Sequence, residues 1–375
     1  MGTKSLIFHR VLDEIKDNKK RREAGEIVNL PFPFPRFSKY VPGIQKGRYI
    51  GITANQKVGK TKIADFIFLY STFKFWQANK DKISLKIFYF SLEMSKEEKI
   101  KEAISHFLYT HTKGRIKKSP DELSSQFGSY IPDGLTIGEI ESLETTFEEF
   151  EQVVDFVDSV RNPYGIYKYV RDYADANGKY VYKTIKLTND QGIVEEQTVE
   201  DYYVPDNPNE YVIIITDHIS LLQNEKGTND VKITMDNYSK NYCLKMRDRW
   251  KYIPVNIQQQ AQAQEGVENK KAGKLQPSVD GLGESKIIGR DYDLLLGLFS
   301  PYRHRIEHYA GYEILNPLRD TGMKDTYREL SVIANRRGAM VSTDLYFDGA
   351  VNYFKELPNP GSIDMNELYN KLNGQ

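Results

Sequence analysis

The sequence contains almost no cysteine, carries no net charge and has no long apolar run. Cys243 is the single cysteine among 375 residues, which excludes a disulfide framework and a cysteine-based metal centre and favours a reducing compartment. The 52 basic and 52 acidic side chains balance, so a basic surface for nucleic acid can only be local. No apolar run approaches the roughly 20 residues of a membrane span, and the sequence opens without a secretory leader. We therefore expect a cytoplasmic protein that does not bind a membrane.

A phosphate-binding loop is predicted between an apolar strand that includes Ile50 and Ile52 and an amphipathic helix that runs to Leu69. The segment fits the pattern G-x-x-x-x-G-K-[ST], except that Ala54 replaces the first glycine. The backbone N–H groups of such a loop converge on phosphate, and the helix dipole adds partial positive charge. The predicted nucleotide-binding residues are Ala54, Asn55, Gln56, Lys57, Val58, Gly59, Lys60, Thr61 and Lys62.

The cofactors that this loop predicts are ATP and Mg²⁺. Lys60 would reach the β- and γ-phosphates, and the Thr61 hydroxyl would ligate the metal. A chance G-K-T in a lysine-rich chain would explain the tripeptide alone, but it would not explain the strand before it and the helix after it. The sequence therefore favours a nucleoside triphosphate site, although no residue that reads the base can be identified.

Acidic side chains follow two further apolar runs. The run 84–92 is followed by Glu93, and the run 211–216 is followed by Asp217. Because the carboxyl ends of parallel strands share one edge of a sheet, Glu93 would activate the attacking water and Asp217 would support Mg²⁺. A helix start explains Glu93 equally well, and an acid after an apolar strand is common in α/β proteins. The adjacent His218 is expected to be a packed neighbour rather than a metal ligand.

An amide and a basic segment follow the next predicted strand, 253–257. Gln259 would bond the γ-phosphate and sense its loss, although the glutamine-rich run is also compatible with a solvated loop. Residues 261–285 are polar and contain several glycines, so we expect contact with nucleic acid there. A plain surface loop is the alternative. The predicted DNA-binding residues are Lys270, Lys271 and Lys274.

The chain divides into three predicted parts. Residues 1–30 form an amino-terminal helix and arm, which either docks on a neighbouring subunit or frays. Residues 31–357 form an α/β domain, and residues 358–375 form a polar tail. Within the domain, residues 161–208 have the pattern of an insertion built on a β-hairpin that turns at Asn177-Gly178.

Smaller elements are predicted from apolar periodicity. Residues 136–140 indicate a short strand, and residues 147–160 indicate a helix. Residues 229–249 indicate a longer helix, and residues 343–354 indicate a hairpin that closes the sheet.

Several separated motifs resemble, in the same order, those of the DnaB-type replicative helicases, whose motor is a RecA-like core. Residues 90–95 read F-S-L-E-M-S, as the family's segment does, and residues 217–222 are similar to its D-Y-L-Q-L-[LM]. Gln259 falls at the family's sensor glutamine. Residues 283–293 are similar to R-E-S-G-x-I-E-x-D-A-D, and residues 335–338 resemble K-x-R-x-G, whose arginine acts on the nucleotide of the next subunit.

The resemblance covers residues 25–357 and implies an α/β fold with a RecA-like P-loop NTPase core. Such a core has a mostly parallel central sheet flanked by helices, here with a C-terminal β-hairpin and an inserted β-hairpin region. The departures from the family are Ala54, Gly283 and Ala334, together with the lack of its N-terminal helical domain. They suggest a phage-like or otherwise streamlined relative, or a degenerate one, that acts in a bacterial cell or a phage-infected host.

The function that the resemblance implies is an ATP-dependent DNA helicase that translocates on single-stranded DNA as a ring-shaped homo-oligomer, a hexamer. Primase, a helicase loader or other replisome proteins would be its partners. The catalytic residues carried over are Lys60, Glu93, Gln259 and Arg336, with Arg337 as the alternative arginine finger. Two other functions stay open at this point. One is a RecA-like recombinase or accessory ATPase without unwinding activity, and the other is a nucleotide-binding scaffold that hydrolyses nothing.

Overall fold

The protein is described here by a computed structural model, which covers most of the chain. The described residues are 6–126, 130–188, 194–225, 227, 229–285, 287–317, 321–362, 364–365 and 367–369. Parts of the predicted arm, insertion and tail, namely residues 1–5, 189–193 and 370–375, lie outside the described residues.

The strands of the described chain form one large sheet and two small ones. In chain order they are β1 Ile50–Ala54, β2 Ser84–Ser91, β3 Val154–Val157, β4 Gly178–Thr188, β5 Val194–Pro205, β6 Glu210–Asp217, β7 Ile253–Gln259, β8 Leu294–Phe299, β9 His308–Tyr309, β10 Tyr312–Glu313, β11 Tyr327–Asn335, β12 Ser342–Asp348 and β13 Tyr353–Glu356. The large sheet has the order β13-β12-β11-β8-β1-β7-β6-β2-β3. Strands β8, β1, β7, β6, β2 and β3 run parallel, and β11, β12 and β13 continue the sheet in antiparallel pairs.

Helices cover the two faces of this sheet. In chain order they are α1 Leu6–Glu23, α2 Lys60–Ala64, α3 Thr72–Gln77, α4 Lys96–His111, α5 Pro120–Leu123, α6 Gly134–Glu141, α7 Glu144–Val153, α8 Pro163–Ala176, α9 Val231–Asn237, α10 Leu244–Trp250, α11 Val267–Lys271 and α12 Ile288–Asp291. A π-helical segment joins α2 to α3 at Asp65–Ser71, and another joins α9 to α10 at Tyr238–Cys243. The predicted helix at residues 229–249 is thereby confirmed.

The parallel part of the sheet follows from the sequence. Strand β6 carries three consecutive isoleucines that are completely buried, at Ile213, Ile214 and Ile215. A strand that is apolar on both faces must be covered on both faces, as in a central parallel strand. Two apolar clusters do this, one on each side of the sheet: Ile213 and Ile215 lie in the first, and Ile214 lies in the second. The α/β class and the C-terminal hairpin of β12 and β13 are confirmed.

The inserted hairpin is present, but its predicted turn is wrong. Residues 163–176 form helix α8 rather than the first strand. Asn162 caps the helix by accepting a hydrogen bond from the N–H of Gly165, and Pro163 occupies its first position, both of which favour a helix start. The hairpin instead pairs β4 with β5, from Gly178 opposite Pro205 to Thr188 opposite Val194.

Two further expectations are corrected. Residues 136–140 belong to helix α6, because the Asp133 carboxylate caps the N–H of Thr136. The helix predicted for residues 147–160 ends at Val153 and gives way to β3, which forms the sheet edge beside β2. Local periodicity does not distinguish a short apolar run that ends a helix from one that begins a buried edge strand.

Candidate nucleotide-binding and catalytic site

The phosphate loop lies between β1 and α2, as the sequence predicts. Ala54 is the last residue of β1, fully buried and paired with Gln259 on one side and Leu298 on the other. Since a strand residue needs no left-handed backbone, alanine fits where the pattern has glycine. Lys57 and Gly59 have φ values of +57° and +103°. Because Val58 between them does not have a positive φ, the sign of φ alternates along the loop. Such alternation turns successive N–H groups toward one point and makes an anion-binding concavity.

A cleft of about 380 Å³ opens above this loop at the carboxyl edge of the parallel strands. Parallel pairing places the ends of β1, β2, β6 and β7 side by side there, with Ser91 opposite Asp217 and Ala54 opposite Gln259. The predicted residues that line the cleft are Gln56, Lys57, Gly59, Lys60, Thr61, Lys62, Glu93 and Gln259. His218 also lines it. The roles of these residues stay predictions.

Thr61 and Asp217, the two predicted magnesium ligands, lie together beside the cleft. The Thr61 hydroxyl donates to Asp217 Oδ1 at 3.1 Å. Hard oxygen ligands of this kind suit Mg²⁺, which keeps several waters and a substrate phosphate as its other ligands. Asn55 is buried beside the loop. Its side-chain amide has no hydrogen-bond partner among the described residues. These observations fit a site for a magnesium-bound nucleotide.

A buried network supports Asp217 from below. The Tyr89 hydroxyl lies 3.2 Å from Asp217 Oδ2 and 2.8 Å from Asp65 Oδ1, so its one proton is shared between two carboxylates. Asp65 Oδ2 in turn accepts a hydrogen bond from Lys99 Nζ at 2.5 Å. Both Asp65 and Lys99 are fully buried. Tyr89, Asp65 and Lys99 were not identified from the sequence, because their partners are distant along the chain.

The network returns to the cleft through a second ion pair. Lys99 Nζ donates to Glu102 Oε2 at 2.9 Å, and Glu102 Oε1 accepts from Lys62 Nζ at 2.5 Å. Burial raises the pKa of Asp65 to about 6 although the Lys99 charge opposes it. Burial alone would lower the pKa of Lys99, but the charges of Asp65, Glu102 and Asp217 raise it above its usual value. Lys99 is therefore positively charged at neutral pH, in the network that supports Asp217.

Glu93 is the exposed carboxylate of the cleft. Its side chain is 56% exposed, and its Oε2 lies 3.8 Å from Nε2 of His218. Burial and the positive charge of Lys60 lower the pKa of His218, so its imidazole is neutral at pH 7. A solvent-exposed carboxylate over the phosphate loop can accept a proton from water. Within the described part of the chain, no group of three His, Cys, Asp or Glu side chains forms a metal site.

The three glutamines at the end of β7 lie in different surroundings. Gln259 points into the cleft, whereas Gln258 and Gln260 are each only 2% exposed. Gln258 donates to the carbonyl of Leu282 at 3.1 Å, and Gln260 donates to the carbonyl of Ser278 at 3.1 Å. The alternative of a solvated glutamine loop is therefore wrong for these two residues, which hold the following segment against the sheet.

Two arginines from the carboxyl-terminal part of the chain fix the phosphate loop. Arg328 is 1% exposed, and its Nε donates to the carbonyl of Val58 at 2.7 Å. The guanidinium is also paired with Asp325 at 3.0 Å. Arg303 donates to the carbonyl of Gln56. Sequence reasoning missed both residues, since no motif links an arginine on a strand to a loop so far away in sequence.

Arg336 lies at the opposite edge of the sheet from the cleft. Strand β11 ends with Asn335 opposite Leu294, which is itself opposite Ile50 at the start of β1. Arg336 pairs there with Asp293 at 3.5 Å and donates to the carbonyl of Arg290. At roughly 3.3 Å per strand residue, the length of β1 separates it from the loop of its own chain.

The predicted DNA-binding lysines lie beyond β7. Lys270 and Lys271 end helix α11, and Lys274 follows it. Glu265, just before this helix, pairs with Arg303 at 3.1 Å, so the segment lies beside the phosphate loop. The side chains of Glu284 and Ser285, which belong to a family-like motif, are outside what the structure describes. Among the described helices, none is long and apolar enough to cross a membrane.

Comparison with known proteins gives structural matches alone. No family model and no curated protein matches the sequence. One solved ATPase domain has a TM-score of 0.66 at 16% identity, over 95% of this chain and 100% of that domain. A DnaB-like replicative helicase, solved to describe its interactions with primase, has a TM-score of 0.65 at 16% identity, over 95% of this chain and 69% of its own. The expected resemblance is thus confirmed at the level of fold: the chain has the RecA-like α/β architecture of the ATPase domains of DnaB-like helicases.

Proposed function

We propose that this chain is the ATP-hydrolysing motor of a DNA helicase that moves along single-stranded DNA as a ring of identical subunits. The observation that carries the proposal is the cleft in which Lys60, Thr61 and Glu93 converge beside Asp217. A phosphate loop alone would support nucleotide binding. The addition of an exposed carboxylate and a metal-binding pair supports hydrolysis.

Each residue of the cleft has a distinct task in this proposal. Lys60 binds the β- and γ-phosphates, and Thr61 and Asp217 hold the metal. The magnesium-bound triphosphate supplies the phosphoryl group and the neutralisation of its charge. Glu93 orients the attacking water and accepts its proton. His218 lies beside this carboxylate, with its Nε2 3.8 Å from Glu93 Oε2.

The position of Arg336 supports assembly into a ring. This arginine cannot reach the loop of its own chain, since it lies at the opposite edge of the sheet. An arginine finger supplied by a neighbour neutralises transition-state charge, and a closed ring gives every subunit one such neighbour. Arg337 is the alternative finger. Gln259 bonds the γ-phosphate and transmits its loss to the segment that holds Lys270, Lys271 and Lys274.

The partners in this proposal are single-stranded DNA, further copies of the chain and replisome proteins such as primase or a helicase loader. DNA contact by the lysines after β7 would couple the nucleotide cleft to movement, because the segment is anchored through Gln258 and Gln260. We place the protein in the cytoplasm of a bacterial cell or a phage-infected host.

The test is ATP turnover and strand displacement, measured with and without single-stranded DNA. Wild-type turnover should rise with DNA, and Glu93→Gln should lose at least ~100-fold because its general base is gone. Glu97→Gln is the matched control, since Glu97 is an exposed acid in the first turn of α4 outside the cleft. DNA-stimulated turnover without strand displacement would favour a recombinase or accessory ATPase, and no turnover at all would favour a scaffold.

Arg336→Ala tests the shared site. Turnover should fall while nucleotide binding is unchanged, and mixing with Lys60→Ala subunits should restore part of it. In a mixed ring, Lys60→Ala subunits lend their intact Arg336 to neighbours whose loops are intact. If Arg336→Ala stays active and Arg337→Ala does not, the finger is Arg337.

A further inference from the structure

A second cleft lies at the edge of the sheet opposite the nucleotide site. It has a volume of about 550 Å³ and lies beside the amino-terminal ends of β1 and β6. Its walls are the carboxyl-terminal turns of α1, the segment 27–29, the lead-in to β1 and the turn before β6. We call it the basic cleft, because its charged lining residues are Arg21, Arg22, Lys46 and Lys251.

The positive charge of the basic cleft is only partly compensated. No Asp or Glu is among its lining residues. Arg21 pairs with Glu26 at 2.6 Å, but Arg22, Lys46 and Lys251 make no ion pair within the described structure. The Glu210 carboxylate acts on Lys46 electrostatically, and it accepts a hydrogen bond from the Tyr173 hydroxyl at 2.7 Å. Three cations therefore line the cleft without a carboxylate paired to them in the described part of the chain.

The positive charge of Lys46 is disfavoured by burial and by the nearby charge of Arg21. Its Nζ donates to the carbonyl of Pro208 at 2.5 Å and lies 4.6 Å from the centre of the Tyr211 ring. Burial and then the charge of Arg21 lower the pKa of Lys46 to about 8. An ammonium that is destabilised by a like charge is stabilised when an anion enters between the two.

The walls also provide neutral donors. Asn29 and Asn209 line the cleft. The Asn209 amide oxygen accepts a hydrogen bond from the Arg21 guanidinium at 3.0 Å, which holds that guanidinium at the wall of the cleft. Arginine recognises phosphate through two parallel N–H groups, and lysine adds a point charge. The volume matches that of clefts for small ligands, about 300–1,000 Å³, rather than the extended groove that a nucleic acid strand follows.

We propose that the basic cleft binds a small phosphate-bearing ligand, with the arginines of α1 on one side and Lys46 and Lys251 on the other. Such a ligand would join the carboxyl-terminal end of α1 to the α/β domain. The proposal does not depend on ATP hydrolysis, since the two clefts lie at opposite edges of the sheet.

The test is calorimetric titration with inorganic pyrophosphate, without magnesium, on the full chain carrying Lys60→Met to weaken the phosphate loop. Pyrophosphate should bind, and Arg22→Ala and Lys46→Met should each weaken the affinity at least tenfold. Lys20→Ala is the matched control, since Lys20 is an exposed cation of the same helix that does not line the cleft. Arg22 is itself exposed, so its substitution should not disturb folding.

Three outcomes would overturn the proposal. They are no binding of pyrophosphate, equal affinity in all variants, and displacement of pyrophosphate by a single-stranded oligonucleotide at stoichiometric concentration, which would assign the cleft to nucleic acid. A parallel titration with ADP distinguishes the source of the phosphate. Tighter binding of ADP than of pyrophosphate identifies a nucleotide ligand, and equal binding identifies phosphate recognition alone.

Discussion

At the scale of single residues, the phosphate loop depends on a buried cation far away in sequence. Arg328 donates to the carbonyls of Val58, Asp325 and Tyr327. We expect Arg328→Met to lower the free energy of unfolding by about 3 kcal/mol, because it leaves buried carbonyls without a donor. Nucleotide affinity should fall as well, since the loop loses its anchor. Urea denaturation and titration with a fluorescent ADP measure the two effects.

Arg303→Met separates loop anchoring from stability. Arg303 also bonds a loop carbonyl, that of Gln56, but its side chain is 33% exposed. Its removal should weaken nucleotide binding with less than about 1 kcal/mol lost in stability, because water replaces the lost donor. If Arg303→Met and Arg328→Met lowered the free energy of unfolding equally, burial would not be the reason for the large effect expected at Arg328.

Tyr89→Phe tests the support of the metal-binding pair. Without the hydroxyl, Asp65 and Asp217 lose their shared donor, at a cost of about 1–3 kcal/mol. We expect the magnesium concentration for half-maximal ADP binding to rise several-fold, since Asp217 is no longer held toward Thr61. Fluorescent ADP titrated at a series of magnesium concentrations measures this.

Tyr169→Phe is the control for that substitution. The Tyr169 ring packs against Phe88 and Phe90, which flank Tyr89 on β2 and lie on the other face of the sheet. The variant therefore removes a tyrosine hydroxyl without touching the network. A magnesium dependence that is the same in wild type and both variants would show that Tyr89 only fills space.

The sequence predicts the part of the site that follows strands. Glu93, Asp217 and Gln259 each come directly after or at the end of an apolar run, and parallel pairing brings them to one edge. Tyr89 and Lys99 could not be predicted in this way. One lies inside a strand and the other inside a helix, where a polar residue is equally consistent with an exposed face.

At the scale of elements, helix α4 packs against the turn between β12 and β13 through a buried histidine. His106 Nδ1 lies 3.0 Å from the carbonyl oxygen of Asn352, and its ring stacks on Tyr70 at 4.3 Å. Burial lowers the pKa of His106 from 6.5 to about 4. The folded protein therefore keeps the imidazole neutral where the unfolded chain would protonate it.

This shift predicts a pH dependence of stability. Between pH 6.5 and about 4 the unfolded chain binds a proton that the folded chain does not, so stability present above pH 6.5 is lost as the pH falls. The loss from this group is up to about 3 kcal/mol. Urea denaturation of wild type and His106→Gln from pH 4 to 7 measures it.

His308→Gln provides the comparison, since His308 is exposed on β9. The slope of stability against pH should be smaller in His106→Gln than in wild type and unchanged in His308→Gln. Parallel slopes in all three proteins would rule out His106 as the source.

Elements whose apolar pattern and residue preferences agree could be predicted from the sequence, and elements in which the two conflict could not. The three-isoleucine strand β6 and the C-terminal hairpin are examples of success. The tyrosines of α8 favour a strand, whereas its buried residues Ile166, Val170 and Ala174 follow a helical period. The strand prediction gave weight to the tyrosines and is therefore wrong. Asparagine followed by glycine is typical both of a helix end and of a hairpin turn, so the sequence around Asn177 predicts a turn where the structure has the end of α8.

At the scale of the whole molecule, α1 carries exposed apolar side chains along one side. Val11 and Ile15 are 44% and 59% exposed, one helical turn apart. If α1 docks on the next subunit of a ring, Val11→Ser with Ile15→Ser should shift the protein toward smaller species in sedimentation velocity. Turnover should fall with it, because Arg336 loses its partner site.

Lys16→Ser with Asp17→Ser is the control on the same helix, since both residues are exposed and polar. It should leave assembly unchanged. An unchanged distribution in the apolar variant would show that α1 is a frayed terminal helix.

The order of the sheet makes nucleotide binding depend on residues that are synthesised long after the phosphate loop. Strand β1 lies between β7 and β8, and Arg328 meets Val58 across 270 positions of the chain. A nascent chain carries Lys60 and Asp217 long before the ribosome releases the strand that anchors the loop. Stalled chains that end near residue 300 should therefore bind fluorescent ADP far more weakly than released full-length chains. An unfinished chain would then be unable to sequester nucleotide.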